Sequence, residues 1–299
     1  MIDHPTPGGA QPTMQAPSPR TSPALAGERS DRLLAALGAG VRVFDLGHPL
    51  FVGMPQSPNH PAFTHHVVRR HGDMVRADGG SAAGDLLLTG THVGTHIDAL
   101  AHVSHDGRLH GGVAVAEAMR SGRFATHGAE TIQPMFRRGV LLDIPGALGL
   151  PRCDPGYEIT PDDLRAAAAA QRTRLLPGDV VLIRSGWAQL FEHPEAFVGA
   201  ADGVPGVGAA GARWLAAQRV HAAGADTIAF ERLAPGAGHS LLPAHRILLV
   251  EHGIYLIEAM VLEELAARGV HEFTFVLAPL PIVGATGSPA RPLAVTARD

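Results

Sequence analysis

Histidine concentrates in one stretch of this chain, Thr91 to Gly112, which reads THVGTHIDALAHVSHDGRLHGG. His92, His96, His102, His105 and His110 put five of the chain's eighteen histidines into nineteen of its 299 residues, with Asp98 among them. Two histidines four residues apart, with a carboxylate two beyond the second, are a common ligand set for a divalent ion. Neutral imidazole and carboxylate suit Zn²⁺ or Mn²⁺. A helix would place His92 and His96 on one face, as in zinc-binding helices. A strand end running into a turn would also let His92, His96 and Asp98 converge, with Gly94 permitting the bend. The β-branched Val93 and Thr95 beside that glycine count against a regular helix.

Asp98 strengthens the metal reading. It stands in the apolar IDALA, where a buried, unpaired carboxylate costs several kcal/mol. A cation removes that cost. The alternative is a surface cluster or a set of hydrogen-bonded core histidines. His102, four residues past Asp98, is placed to exchange a proton near neutral pH; its alternatives are a further ligand or a core histidine. His105 and His110 flank a turn-rich loop and read as solvated.

The elements that must position these residues alternate between strands and helices. GVLLDIPG (139–146) and DVVLIRSGW (179–187) are apolar runs bounded by turn residues, as buried strands are. ITPDDLRAAAAAQR opens a helix with Thr160 as N-cap, Pro161 in the first turn and Asp163 completing a capping box. GARWLAAQRV predicts another helix and HAAGADTIAF a strand. GIYLIEAM and FTFVLAPLPI are further strands, separated by the helical LEELAARG. A short amphipathic helix is expected over 29–37. The pattern is that of an α/β domain with a mixed sheet. Residues 1–25, rich in Pro, Gly, Ser and Thr, read as a disordered tail, and 26–299 as one catalytic domain.

Composition narrows the function classes. A net charge of −4 with no basic block argues against nucleic acid or an anionic membrane as partner. Hydrophobic residues make up 45% and glycines number 36, as in a globular α/β protein with many turns. The single cysteine, Cys153, excludes an internal disulfide framework and any cysteine-only zinc site. No apolar run reaches membrane-spanning length, and the expected location is the cytoplasm.

The segment HVGTHIDALAH, His92 to His102, matches H-x-G-T-H-x-D-x-x-x-H at every fixed position. In this the chain resembles the metal-dependent cyclase family, which includes bacterial kynurenine formamidase and isatin hydrolase. The likeness runs on through DLGHPLFVGMP (45–55), RGVLLDI (138–144), PGDVVLIRSGW (177–187), GADTIAFE (224–231), LPAHRILLVEHGIYLIEAM (242–260) and PLPIVGATGSPARPLAV (279–295). The resemblance implies a swivelling β/β/α fold with flanking helices, assembled as a homodimer or homotetramer. It implies that His92, His96 and Asp98 bind a first metal ion, that Asp98 bridges to a second held by His245 and Glu258, and that His102 transfers protons. Two departures stand out. Gly47 and His48 follow the Asp-Leu pair where relatives often carry Ser, and DTIAFE (226–231) replaces the SxD stretch of formamidases.

Read alone, His245 could be an exposed residue at a helix start. Glu258 lies inside the apolar IYLIEAM and needs a positive partner. Asp226 is either a pocket residue or a buried hydrogen-bonding group. Phe51, Trp187 and Glu231 are the candidates for substrate contact. The expected activity is hydrolysis of a small cyclic or N-formyl amide by metal-activated water, with one or two Zn²⁺ or Mn²⁺ ions per subunit. Opening of a lactone and metal-promoted cyclisation or dehydration are the enzymatic rivals, and a non-catalytic metal-binding module is the rival from another class. No G-x-S-x-G elbow or activated thiol supports covalent acyl transfer.

Overall fold

The computed structural model describes residues 27–298. The tail expected over 1–25 lies outside the described residues. Two compact units are present, one holding 27–41 and 297–298, the other 42–296. The first contains the helix Gly27–Gly38, two residues longer at the start than the amphipathic run predicted.

The second unit is built on a nine-stranded mixed sheet. Its spatial order is Val41–Asp45, Leu293–Ala297, Glu272–Leu277, Met135–Asp143, Val180–Arg184, Ala222–Ala225, Tyr255–Glu258, His96–Asp98 and Gly287–Pro289. Four central strands, from Met135–Asp143 to Tyr255–Glu258, run parallel. The strands flanking them pair antiparallel. Parallel strands are covered on both faces and so read as unbroken apolar runs, which is why VLL and VVLI show no alternation in the sequence.

Alternate residues of these strands enter two separate cores. Val140, Leu142, Val181, Ile183, Ala223 and Leu256 join one. It is closed by Leu164 and Ala167 of the helix Pro161–Ala170, by Ala212 and Leu215 of Ala209–Ala217, and by Ile247–Leu249. Leu141, Leu182 and Ile257 join the other, together with Phe44, Phe275 and Ala294 from the far end of the sheet. Sharing one core between middle and outer strands requires the sheet to curl. The fold is therefore a curled mixed sheet with flanking helices, as expected.

Local predictions hold where capping chemistry is explicit. Asp163 N donates to Thr160 Oγ1 at 3.3 Å and Thr160 N donates to Asp163 Oδ2 at 2.8 Å, completing the capping box. All five predicted strands end early; FTFVLAPLPI stops at Leu277 and GIYLIEAM at Glu258. The run 139–146 leaves the sheet at Asp143, whose carboxylate caps a helix over Ile144–Leu148 containing Pro145. The run 179–187 stops at Arg184, and HAAGADTIAF forms a strand only over Ala222–Ala225.

Outside the sheet, Thr64–Arg69 and Gly84–Leu88 form an antiparallel hairpin. Val67, Val68, Leu86, Leu87 and Leu88 on it are all more than half exposed. Among the described residues no helix is long and apolar enough to cross a membrane.

Candidate metal centre

The histidine-rich stretch is not a helix. Residues 91–95 form a series of turns that leads into the strand His96–Asp98. Gly94 makes the bend with φ of 67°, which L side chains rarely adopt, and a Cβ there would lie 2.4 Å from Leu50 Cδ2, so glycine is favoured. On the strand, His96 and Asp98 share one face while Ile97 points into the core. Antiparallel pairing sets Glu258 opposite His96. On the other edge Gly287 lies opposite Asp98, and a Cβ on it would stand 2.6 Å from His92 Cε1. That missing side chain leaves room for the His92 ring.

His245 arrives from the short helix Pro243–His245. The Glu231 carboxylate holds it three ways. Ala244 N and His245 N donate to it at 3.1 and 3.0 Å, and His245 Nδ1 lies 2.7 Å away. Those backbone donors are the orphan N–H groups of a helix start, which need such an acceptor. Immediately after Glu258, Ala259 sits at φ 51°, a conformation a non-glycine residue holds only when its surroundings impose it.

Ring tautomers follow from the partners. His96 Nδ1 lies 2.8 Å from the Gly94 carbonyl, which can only accept, so Nδ1 carries a proton and Nε2 is the nitrogen that becomes a ligand when its own proton leaves. His245 Nδ1 donates to Glu231 in the same way, which turns Nε2 toward Glu258 Oε1 at 3.0 Å and Asp98 Oδ2 at 3.6 Å. His96 Nε2 is 3.3 Å from Glu258 Oε2 and 3.5 Å from Asp98 Oδ1, close in charge but not aligned as a hydrogen bond. His92 Nδ1 pairs with Asp98 Oδ1 at 2.8 Å, and its Nε2 with Thr286 Oγ1 at 2.9 Å.

These residues fit a divalent cation. Ligand atoms of His92, His96 and Asp98 lie within 4.8 Å of one another, and so do those of Asp98, His102 and His245. Asp98 belongs to both groups. Among the described residues only four buried side-chain nitrogen or oxygen atoms have no hydrogen-bond partner, and His96 Nε2 and Asp98 Oδ2 are two of them. Buried orphans are rare in native folds, because each costs about 1–3 kcal/mol. Two in one cluster of buried imidazoles and carboxylates, one on His96 and one on Asp98, mark the place of a cation.

Electrostatics agree. Burial pushes the Glu258 carboxyl up, but hydrogen bonding to His245 and the charge of His96 outweigh it and hold Glu258 well below its ordinary range. Burial alone would lower His245, yet contact with Glu231 and Glu258 raises it well above 6.5. His96 is raised for the same reason, its burial outweighed by Glu258 and Asp98. Protons on the imidazoles here balance the negative charge that a metal ion would otherwise balance. His102 behaves differently: burial, reinforced by His92 and His245, brings it down to about 4 against the pull of Asp98. Its ring stacks on His92 with centroids 3.9 Å apart.

The structure thus brings His92, His96, Asp98, His102, His245 and Glu258 into one cluster. It does not place the three expected substrate contacts together. Glu231 is 1% exposed and fully engaged with the His245 turn. Trp187 is a core residue, its Nε1 donated to Phe197 O at 2.8 Å. Phe51 is half-exposed and packs edge-on to Phe191, with centroids 6.3 Å apart. Asp226 takes hydrogen bonds from Ser185 N, Ser185 Oγ and Gly186 N and is a buried brace for that turn. His105 is exposed, as expected, whereas His110 is tied down through Nδ1 to Val250 O. Two residues had no signal in the sequence. His60 lies on a loop with its ring 5.3 Å from that of His92, and Thr286 comes from the glycine-rich segment near the C-terminus.

The chain is thus an α/β protein with a curled mixed sheet, on whose neighbouring strands His96, Asp98 and Glu258 meet in a buried cluster that could hold a metal ion. The model of the Cyclase family, described as "Putative cyclase", matches residues 44–232, and the chain belongs to that family. The crystal structure of a novel cyclase is 32% identical, with a TM-score of 0.77, covering 89% of this chain and 93% of its own. Isatin hydrolase A from Ralstonia solanacearum is 24% identical at a TM-score of 0.68, covering 93% and 100%. A predicted metal-dependent hydrolase from Bacillus stearothermophilus is 22% identical at 0.56, covering 86% and 98%. The last two likenesses concern the fold. No curated protein matches the chain.

Proposed function

We propose that this protein is a metal-dependent hydrolase that opens or cleaves a small amide, either a cyclic amide of the isatin kind or an N-formyl arylamine. The observation that carries the reading is the triad His92, His96 and Asp98, in which His96 Nε2 and Asp98 Oδ2 are buried and unpartnered. Structures titled isatin hydrolase and metal-dependent hydrolase share the fold and support the reaction class. His92, His96 and Asp98 would hold one ion, and Asp98, His245 and Glu258 a second. A bound Zn²⁺ or Mn²⁺ supplies Lewis acidity and brings the pKa of water from about 15.7 toward roughly 7.

The chain's own residues do the rest. Glu231 fixes the tautomer and direction of His245. Burial keeps His102 neutral at pH 7, so its free nitrogen accepts the proton released as water attacks the carbonyl and hands it to the departing nitrogen. A second reading has its own observation: a His102 nitrogen falls within the Asp98–His245 triad, which would make it a ligand. His102→Ala separates the two. As proton carrier, it leaves metal content unchanged and lowers kcat roughly 100-fold or more; as ligand, it costs metal and activity together. EDTA abolishes turnover of isatin, formanilide and simple lactones in the hydrolase reading. Bound metal with no turnover of any of them would establish a non-catalytic module instead.

Residues 26–299 are read as one catalytic domain. A homodimer or homotetramer is supported by the hairpin at 64–88, whose five exposed apolar residues need cover, since a lone two-stranded hairpin is marginal in water. A cytoplasmic location rests on the sequence reading.

A further inference from the structure

His92 is held differently from the other imidazoles of the cluster. His96 Nδ1 faces the Gly94 carbonyl and His245 Nδ1 the Glu231 carboxylate, two groups that can only accept. Each of those rings therefore turns Nε2 toward Asp98 and Glu258. In His92 the order is reversed. Its Nδ1 lies 2.8 Å from Asp98 Oδ1, and its Nε2 lies 2.9 Å from Thr286 Oγ1. The ring has little freedom to exchange the two nitrogens. It is buried, and the His102 ring stacks on it with centroids 3.9 Å apart and a tilt of 25°. Turning it over would set carbon atoms against Asp98 and Thr286 and forfeit both hydrogen bonds.

Thr286 is itself fixed. Gly284 N donates to the Glu130 carboxylate at 2.8 Å, Ala129 N to Ala285 O at 2.9 Å and Ala99 N to Thr286 O at 2.9 Å. From Gly287 onward the segment pairs with the strand that carries His96 and Asp98. The hydroxyl thus rides on the same piece of sheet as the ligands it faces. Its other polar neighbour is Thr91 Oγ1, at 3.5 Å.

We infer that Thr286 is a positioning residue for the metal centre: its hydroxyl accepts the Nε2 proton of His92 and so presents Nδ1 to the ion, whereas His96 and His245 present Nε2. The inference rests on the reading of this cluster as a metal site and is independent of the reaction that site performs. A neutral imidazole has one N–H, so a ring that gives Nδ1 to an ion carries its proton on Nε2, and that proton needs an acceptor. A hydroxyl serves. Because it also donates, it fits His92 equally well before an ion arrives, while Nδ1 still holds a proton toward Asp98.

The test uses the full-length protein and Zn²⁺ alone. In isotope-labelled protein, multiple-bond ¹H–¹⁵N spectra distinguish the ring nitrogen that holds the proton from the one that holds the ion, with the His92 ring assigned through its own side-chain carbons. For His92 the proton is expected on Nε2 and the ion on Nδ1, and for His96 the reverse. Zn²⁺ affinity, from competition with a fluorescent chelator, is expected to fall roughly 10-fold in Thr286→Val. That is the lower end for a residue one shell out from a metal, because Thr286 is only half-buried and water replaces part of its hydrogen bond. Thr286→Ser keeps the hydroxyl and is expected to stay within about threefold of wild type. A His92 spectrum with the ion on Nε2 overturns the proposal, and it decides alone if Thr286→Val does not fold. So does a Thr286→Val affinity within about threefold of wild type, or a Thr286→Ser loss as large as that of Thr286→Val. No Zn²⁺ binding by the wild type would instead sink the metal-centre reading on which the proposal rests.

Discussion

Glu231→Gln tests whether this carboxylate holds a metal ligand or contacts substrate. In the wild type the two Glu231 oxygens accept three hydrogen bonds, from Ala244 N, His245 N and His245 Nδ1. Glutamine keeps one oxygen and replaces the other with an NH₂. Whichever way the amide turns, at least one of the three donors then faces another donor. If the oxygen stays with His245, the bond to its ring loses its charge assistance, which is about half of a bond's strength. If the amide flips, the ring is pushed off its alignment with Glu258. Stripping a buried donor of its partner costs about 1–3 kcal/mol. Partners one shell out from a metal typically carry 10–100-fold in affinity, or ~1.4–2.7 kcal/mol, the same range.

The expected result is therefore a roughly 10–100-fold weaker affinity for Zn²⁺ and Mn²⁺, measured by competition with a fluorescent chelator. The loss of metal-free stability should be about 1–3 kcal/mol in urea titrations under EDTA. KM at saturating metal should change little. A substrate contact behaves in the opposite way: KM rises while metal affinity stays put. Metal affinity within twofold of wild type for both Glu231→Gln and Glu231→Ala would refute the positioning argument.

Asp226 gives a pH signature away from the metal. Burial raises it to about 6 in the folded state, against the hydrogen bonds from Ser185 and Gly186 that lower it. Because the folded value exceeds 3.8, the native state holds the proton more tightly; this stability is full below pH ~4 and is lost as pH rises through 6, up to about 3 kcal/mol. Unfolding free energies of wild type minus Asp226→Asn should carry that slope between pH 4 and 7, and a flat difference would contradict it. Cys153 is buried, and burial with nearby Asp226 and Asp163 pushes its thiol up to about 12, so it should resist a disulfide reagent until the protein is unfolded. Gly287→Ala drives a methyl against the His92 ring and the Ile97 carbonyl; about 1–3 kcal/mol of stability and a measurable part of metal affinity should go with it, seen by the same chelator competition.

How much was legible in the sequence depended on whether the physics was local. The capping box at Thr160, the bend at Gly94 and the buried parallel strands each follow from a few neighbouring residues, and each is found in place. The strand ends were missed because Asp143 and Gly186 redirect the chain through side-chain and turn chemistry that an apolar run conceals. His92, His96 and Asp98 form a local motif, so their convergence could be read directly. His245 and Glu258 are distant in sequence and only the family resemblance points to them; in the structure, strand register and the Glu231 brace bring them in. Glu231 reads from the sequence as a substrate contact because a lone carboxylate carries no label for its partner; in the structure that partner is the His245 turn. Trp187 misled for a related reason. An aromatic near a site reads as a wall, whereas its indole N–H found Phe197 O and took it into the core.

The charge pattern explains why the cluster is assembled from such distant segments. Asp98, Glu231 and Glu258 are all almost fully buried, and the groups that face them are imidazoles rather than guanidinium groups. A permanently charged arginine would have neutralised the carboxylates and filled the space between them. Arg184 does so between Asp143 and Glu263, where its guanidinium gives three hydrogen bonds to the two carboxylates and a fourth to Pro151 O. Histidine neutralises only while it keeps its second proton. Once a divalent ion is offered, that proton can leave, and the same nitrogen becomes a ligand. Neutralising with a removable charge keeps the fold tolerable without metal while leaving His96 Nε2 and Asp98 Oδ2 free to take one.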